Sequence, residues 1–147
     1  MIQKTRVKGW GFALLTVMLV FRFGAPAEAG EVVIAHPGIK IDKLTRQQVS
    51  DLFLGKAKQL SDGTKVVVFD HKDDELIKEE FYRKVADMTV DQLKAYWAKI
   101  EFAGQAFPPL AYRGDQAVKR LVSHTTGGIG YIEEGDVDGT VKVLFKP

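Results

Sequence analysis

The sequence predicts an α/β fold: one three-layer domain in which a mixed, mainly parallel sheet is flanked by helices. Three observations carry this. Short β-branched runs alternate along the chain with amphipathic helical segments. Of the 147 residues, 118 follow a leader expected at residues 1–29, enough for one core without staples. After that leader no apolar run is long enough to span a membrane, so the mature chain is expected to have no membrane span.

Glu31 to Ala35 (EVVIA) reads as a short buried strand, ended by His36-Pro37-Gly38. Thr45 is a helix N-cap. Gln48 three residues on completes a capping box, and Leu44 with Val49 forms a hydrophobic staple. Val49, Leu52 and Phe53 make the helix's apolar face, and Gly55 ends it. After the turn Ser61-Asp62-Gly63, Lys65 to Phe69 (KVVVF) reads as a second buried strand. Asp70 to Glu75 is a polar loop entering a helix with Ile77, Phe81 and Val85 inward. Thr89 with Gln92 repeats the capping box, and Leu93, Tyr96, Trp97 and Ile100 form the next stripe. Residues 102–114, with Gly104 and Pro108-Pro109, read as an irregular connection. Asp115 is expected to cap a helix carrying Val118, Leu121 and Val122. Thr125 to Gly128 is a tight turn, and strands follow at 129–132 and 141–145.

The leader has the three parts of a secretory signal. Lys4, Arg6 and Lys8 precede the apolar run Trp10 to Phe21, and Ala27-Glu28-Ala29 is a cleavage site before Gly30. Its removal takes away Lys4, Arg6, Lys8, Arg22 and Glu28. The 21 basic and 19 acidic residues become 17 and 18, so the net charge falls from +2 to −1. The mature domain is therefore not basic, which argues against nucleic acid. The chain has no cysteine, so disulfides and thiolate chemistry are excluded.

Several pieces stand in an informative order. Asp51-Leu52-Phe53-Leu54-Gly55-Lys56 is followed by Val66-Val67-Val68, Tyr96-Trp97, Phe102-Ala103-Gly104, Pro108-Pro109 and Gly127-Gly128-Ile129-Gly130-Tyr131-Ile132. Over about residues 32–133 this resembles the periplasmic solute-binding (PBP-like) proteins, nearest to the phosphate-binding component of phosphate ABC importers. The resemblance implies that residues 30–147 form a single PBP-like lobe, mixed α/β, exported to the periplasm. It implies a small anion such as phosphate as ligand, an ABC importer as partner, and a second lobe or a second copy as the other wall of the cleft.

One departure bears on the ligand. Where that family has an Arg and a Ser-Gly-Thr, this chain has Asp70-His71-Lys72-Asp73-Asp74-Glu75. Four carboxylates there repel phosphate. The candidate anion contacts are Thr45 and Gln48 at one helix start, His71 and Lys72 at another, and Thr125, Thr126, Gly127 and Gly128 in the glycine turn. A periplasmic adaptor that has lost its ligand site is the alternative.

No enzyme is expected. His36, His71 and His124 invite a catalytic or metal reading, but Ser50, Ser61 and Ser123 lie in no nucleophile-elbow motif. No metal or cofactor is implied. Asp70, His71, Asp73 and Asp74 make an oxygen-rich cluster that fits no cation loop, and Asp136-Val137-Asp138-Gly139 lacks the later ligands of a calcium loop. Tyr96, Trp97, Phe102, Phe107 and Tyr112 are expected in the core rather than as a ligand platform.

Overall fold

The structure is a computed structural model that describes residues 30–147. The expected leader at 1–29 lies outside the described residues. In chain order the elements are β1 (Glu31–Ala35), α1 (Arg46–Phe53), β2 (Val67–His71), α2 (Leu76–Ala86), α3 (Val90–Phe102), β3 (Leu110–Tyr112), α4 (Asp115–His124), β4 (Gly128–Glu133) and β5 (Lys142–Phe145). The strands form one open sheet in the order β3-β2-β4-β1-β5. The sheet is mixed as expected, but parallel pairing does not predominate. β2 pairs parallel with β3 and β4, while β1 pairs antiparallel with β4 and β5.

Three layers follow from where the apolar faces go. α1, α2 and α3 cover one face, through Val49, Phe53, Phe81, Tyr82, Leu93 and Trp97 over Val33, Ile129 and Tyr131. α4 covers the other, through Val118 and Val122 over Ile34, Phe69 and Ile132. β1 and β4 are buried on both faces, which is why they read as continuous apolar runs. Phe81 stacks on Tyr131 at 3.8 Å between centroids, and Phe53 meets Phe81 edge-on at 4.8 Å.

The local signals at α1 and α3 hold. Both capping boxes are complete, and Leu44 and Val49 are buried together in the first core. Gly55 takes φ 68 after α1, as a C′ glycine should.

Several boundaries differ from expectation, and β2 starts only at Val67 rather than Lys65. β2 runs on to His71, two residues past the expected end, because Asp70 and His71 find buried hydrogen-bond partners. Within the connection expected to be irregular, Leu110–Tyr112 forms β3 against Phe69–His71. Asp115 is the first residue of α4 rather than its cap. Gly114 is the cap, at φ 81, and the Asp115 carboxylate accepts from the Glu133 amide at 2.9 Å.

Candidate functional site

β2 and β3 run parallel and end side by side, with His71 opposite Tyr112. Each then enters a helix after a short link, β2 into α2 and β3 into α4. Two helix N-termini, with their positive dipole ends, therefore meet at one end of the sheet, where the Lys72 amide also reaches the Tyr112 carbonyl at 3.2 Å. Neither has a side-chain cap, whereas α1 and α3 have full capping boxes. One side chain spans the two links. Glu75 Oε2 accepts from the Lys72 amide at 3.0 Å, and Glu75 Oε1 accepts from the Gly114 amide at 2.9 Å. A carboxylate thus lies where backbone donors converge as they do around a bound oxyanion. The fully buried His71 ring stands beside it, Nδ1 3.6 Å from Glu75 Oε2, with no hydrogen-bond partner for that nitrogen among the described residues.

The other three acids of the loop are neutralised internally. Asp70 is buried and holds four donors: the Tyr131 hydroxyl at 2.5 Å, the Tyr82 hydroxyl at 2.9 Å, the His71 amide at 2.7 Å and Lys78 Nζ at 3.1 Å. Burial first, and the Asp70 charge second, push both tyrosine hydroxyls well above their ordinary value. Lys78, itself buried, also donates to Asp73 at 2.8 Å and to the His71 carbonyl at 3.1 Å. That hydrogen bond holds the Asp73 carboxyl below its usual range. Arg113 grips both oxygens of Asp74, at 3.0 and 2.9 Å, and lowers it likewise. Three of the four carboxylates are thus paired with cations, Asp70 and Asp73 sharing Lys78 and Asp74 held by Arg113 from thirty-nine residues away.

Asp115 completes the wall, 3.5 Å from His71 Nε2. Burial raises its carboxyl above the ordinary 3.8, against the Glu133 amide and His71, which pull it down. A raised folded value favours the protonated form. Its contribution is therefore full below 3.8 and lost as pH rises through the folded value. Urea unfolding of Asp115→Asn is expected to improve relative to the parent by up to about 1 kcal/mol between pH 3 and pH 7. A difference independent of pH would count against this assignment.

The structure brings together only part of the candidate set. His71 and Lys72 belong to the site just described. Thr45 and Gln48 spend their polar groups on each other, the Gln48 amide to Thr45 Oγ1 at 3.2 Å and the Thr45 amide to Gln48 Oε1 at 2.8 Å. That end of α1 lies against the C-terminal end of α2, where Arg46 bonds the Lys84 carbonyl and Asp87. The eleven residues of α2 separate it from Lys72 by about 16 Å. Thr125, Thr126, Gly127 and Gly128 sit at the opposite end of β2, where the Val67 amide bonds the Gly127 carbonyl and Gly128 pairs with Val67. Four strand residues put them about 13 Å from His71. Glu75, Lys78, Arg113 and Gly114 join the site without having been candidates. The sequence signals the helix start after β2 but not β3 before α4, so it could not bring these residues together.

Two other groups find plain roles. His36 Nδ1 accepts from the Gly38 amide. Ser123 and His124 approach at 2.9 Å, but both also bond the Arg120 carbonyl on an exposed helix end. Among the aromatics, Trp97 is core, whereas Phe102 and Phe107 are not: they stand 96% and 78% exposed. Phe107 borders a groove of about 510 Å³ lined by Leu52, Val68, Trp97, Ala106 and Pro109, and Leu110 is exposed as well.

No family model matches the chain, and no curated protein does. Solved structures do. A phosphate ABC transporter substrate-binding protein with bound phosphate from Clostridium perfringens superposes with TM-score 0.64 at 22% identity, covering 78% of this chain and 44% of that one. An ABC-type phosphate transport receptor from Vibrio cholerae gives 0.62 at 20% identity, covering 78% and 45%. PstS from Borrelia burgdorferi gives 0.58 at 17% identity, covering 78% and 46%. None of these is described as an enzyme. The chain spans less than half the length of each. At these identities the likeness is one of fold: a mixed α/β lobe of the PBP-like type.

Proposed function

We propose that the protein is exported through a signal at residues 1–29 and acts in the periplasm as a small-anion-binding lobe, with phosphate as ligand, serving an ABC importer. The observation that carries this is Glu75, whose carboxylate already occupies converging backbone donors at the meeting of β2, β3, α2 and α4. An oxyanion entering there displaces Glu75 and gains the Lys72 and Gly114 amides, with Arg113, held by Asp74, as the nearby positive charge. Asp115, close by at 3.5 Å from His71 Nε2, accepts in its ionised form a hydrogen bond from a protonated phosphate, which sulfate at neutral pH does not offer. The proposal therefore includes selectivity for phosphate over sulfate. Among the described residues no helix is long and apolar enough to cross a membrane.

Calorimetric titration of the exported protein tests this. Saturable heat is expected for phosphate and none for sulfate. Glu75→Ala, which removes the tethered competitor, is expected to bind phosphate about tenfold more tightly, a gain of about 1.4 kcal/mol. No heat from either protein would retire anion capture.

A second reading, a periplasmic adaptor without a ligand, is favoured by the exposed Phe102, Phe107 and Leu110. It gains if phosphate gives no heat and Phe102→Ser with Phe107→Ser abolishes recovery of a partner from the envelope.

A further inference from the structure

Glu31 is the first residue of β1, yet its side chain is wholly buried. Oε2 holds Lys84 Nζ at 2.9 Å, while Oε1 has no hydrogen-bond partner among the described residues. A carboxyl oxygen buried without a hydrogen-bond partner is costly, so a native chain should supply one. The neighbourhood is also short of positive charge. Glu31 lies directly opposite Glu133 on the antiparallel strand β4, and opposed residues share a face of the sheet. Burial, then the charges of Asp115, Glu31 and Glu80, push the Glu133 carboxyl up, with Lys84 as the counter-charge.

The residue before Glu31 is Gly30, where cleavage of the leader is expected. Its carbonyl accepts from the Glu134 amide at 3.0 Å, which pins the residue to the sheet. A Cβ built on it would stand 3.5 Å from Lys84 Nζ. The Gly30 nitrogen is therefore within roughly 6 Å of the Lys84–Glu31 pair. In an uncleaved chain that nitrogen is a neutral amide with one hydrogen. After cleavage it is an ammonium with three donors.

We propose that the α-ammonium group created at Gly30 by cleavage after Ala29 docks on the buried Glu31 carboxylate beside Glu133, so that processing of the leader supplies the missing donor of the folded domain. This rests on the export reading above. It adds that the new terminus is a structural counter-ion, not a free end.

The test uses protein exported with its own leader and purified from the periplasm. Mass spectrometry identifies the first residue, and acylation of the α-amine is followed against pH. An unperturbed α-amine titrates near 7.7–8.0; the Glu31 and Glu133 carboxylates raise that value and Lys84, already paired with Glu31, opposes them in part. A chain beginning at Gly30 is expected, its α-amine reacting about tenfold more slowly at pH 7 than an unperturbed terminus, which corresponds to a rise of about one pH unit. Glu31→Gln is expected to restore the ordinary rate, and Glu133→Gln to move it part of the way should the first variant fold poorly. A Gly30 terminus with ordinary reactivity in the parent, unchanged in both variants, overturns this inference alone. A chain that begins at any other residue overturns it together with the cleavage reading.

Discussion

Asp70→Ala is expected to cost about 3–5 kcal/mol of folding stability, the range for removing one partner of a buried ion pair. Asp70 is 2% exposed and Lys78 5% exposed, so neither can turn to water. Removing the carboxylate leaves the Lys78 ammonium with only Asp73 and a carbonyl, and leaves the buried Tyr82 and Tyr131 hydroxyls without acceptors. It also frees the His71 amide at the end of β2 and so loosens the loop that carries Lys72 and Glu75. The urea midpoint should fall by about 2 M at an ordinary slope. The pair can be separated from its setting. Asp70→Asn combined with Lys78→Met removes both charges and is expected to recover more than half of the loss. A single-variant cost below about 1 kcal/mol would mean that Asp70 does not hold the network together.

Gly127→Ala is expected to be comparably severe, above about 3 kcal/mol, or to yield no soluble protein. Two effects add. The residue sits at φ 77, which costs an L side chain about 1–2 kcal/mol. A Cβ there would also stand 2.3 Å from the Lys65 carbonyl oxygen, a backbone atom that cannot swing aside. Gly63→Ala provides the control, at φ 83 with nothing within 4 Å of the added carbon, and should show the conformational cost alone. Both are read from urea unfolding. If the role of Gly127 were contact with a ligand only, the two variants would lose equal stability.

That comparison marks a boundary in what a sequence can tell. Gly127 and Gly128 stand out in the sequence as an anion-binding turn. In the fold they let the chain pass under the start of β2, with the Val67 amide on the Gly127 carbonyl. Thr45 with Gln48 stands out likewise, yet its polar atoms serve α1 itself. The residue types were legible, and their distance from His71 and Lys72 was not.

What the sequence by itself determined is whatever closes over a few residues. The capping boxes at Thr45 and Thr89 each join positions three apart, so they are written in the local order of residue types. The strands β1 and β4 announce themselves by apolar runs, because burial on both faces leaves no room for alternation. Alternation of these elements with amphipathic helices was enough for a three-layer α/β lobe. Tertiary structure alone decided the rest. Asp70 reads as a loop acid until Tyr131, sixty-one residues away, brings its hydroxyl. Glu75 reads as a helix-start acid until the Gly114 amide, thirty-nine residues on, closes the anion-like site. Three residues after two prolines carry too little pattern to predict β3, which exists because β2 offers it an edge. A charge is worth little until its partner and its burial are known, and both are set by parts of the chain far apart in sequence.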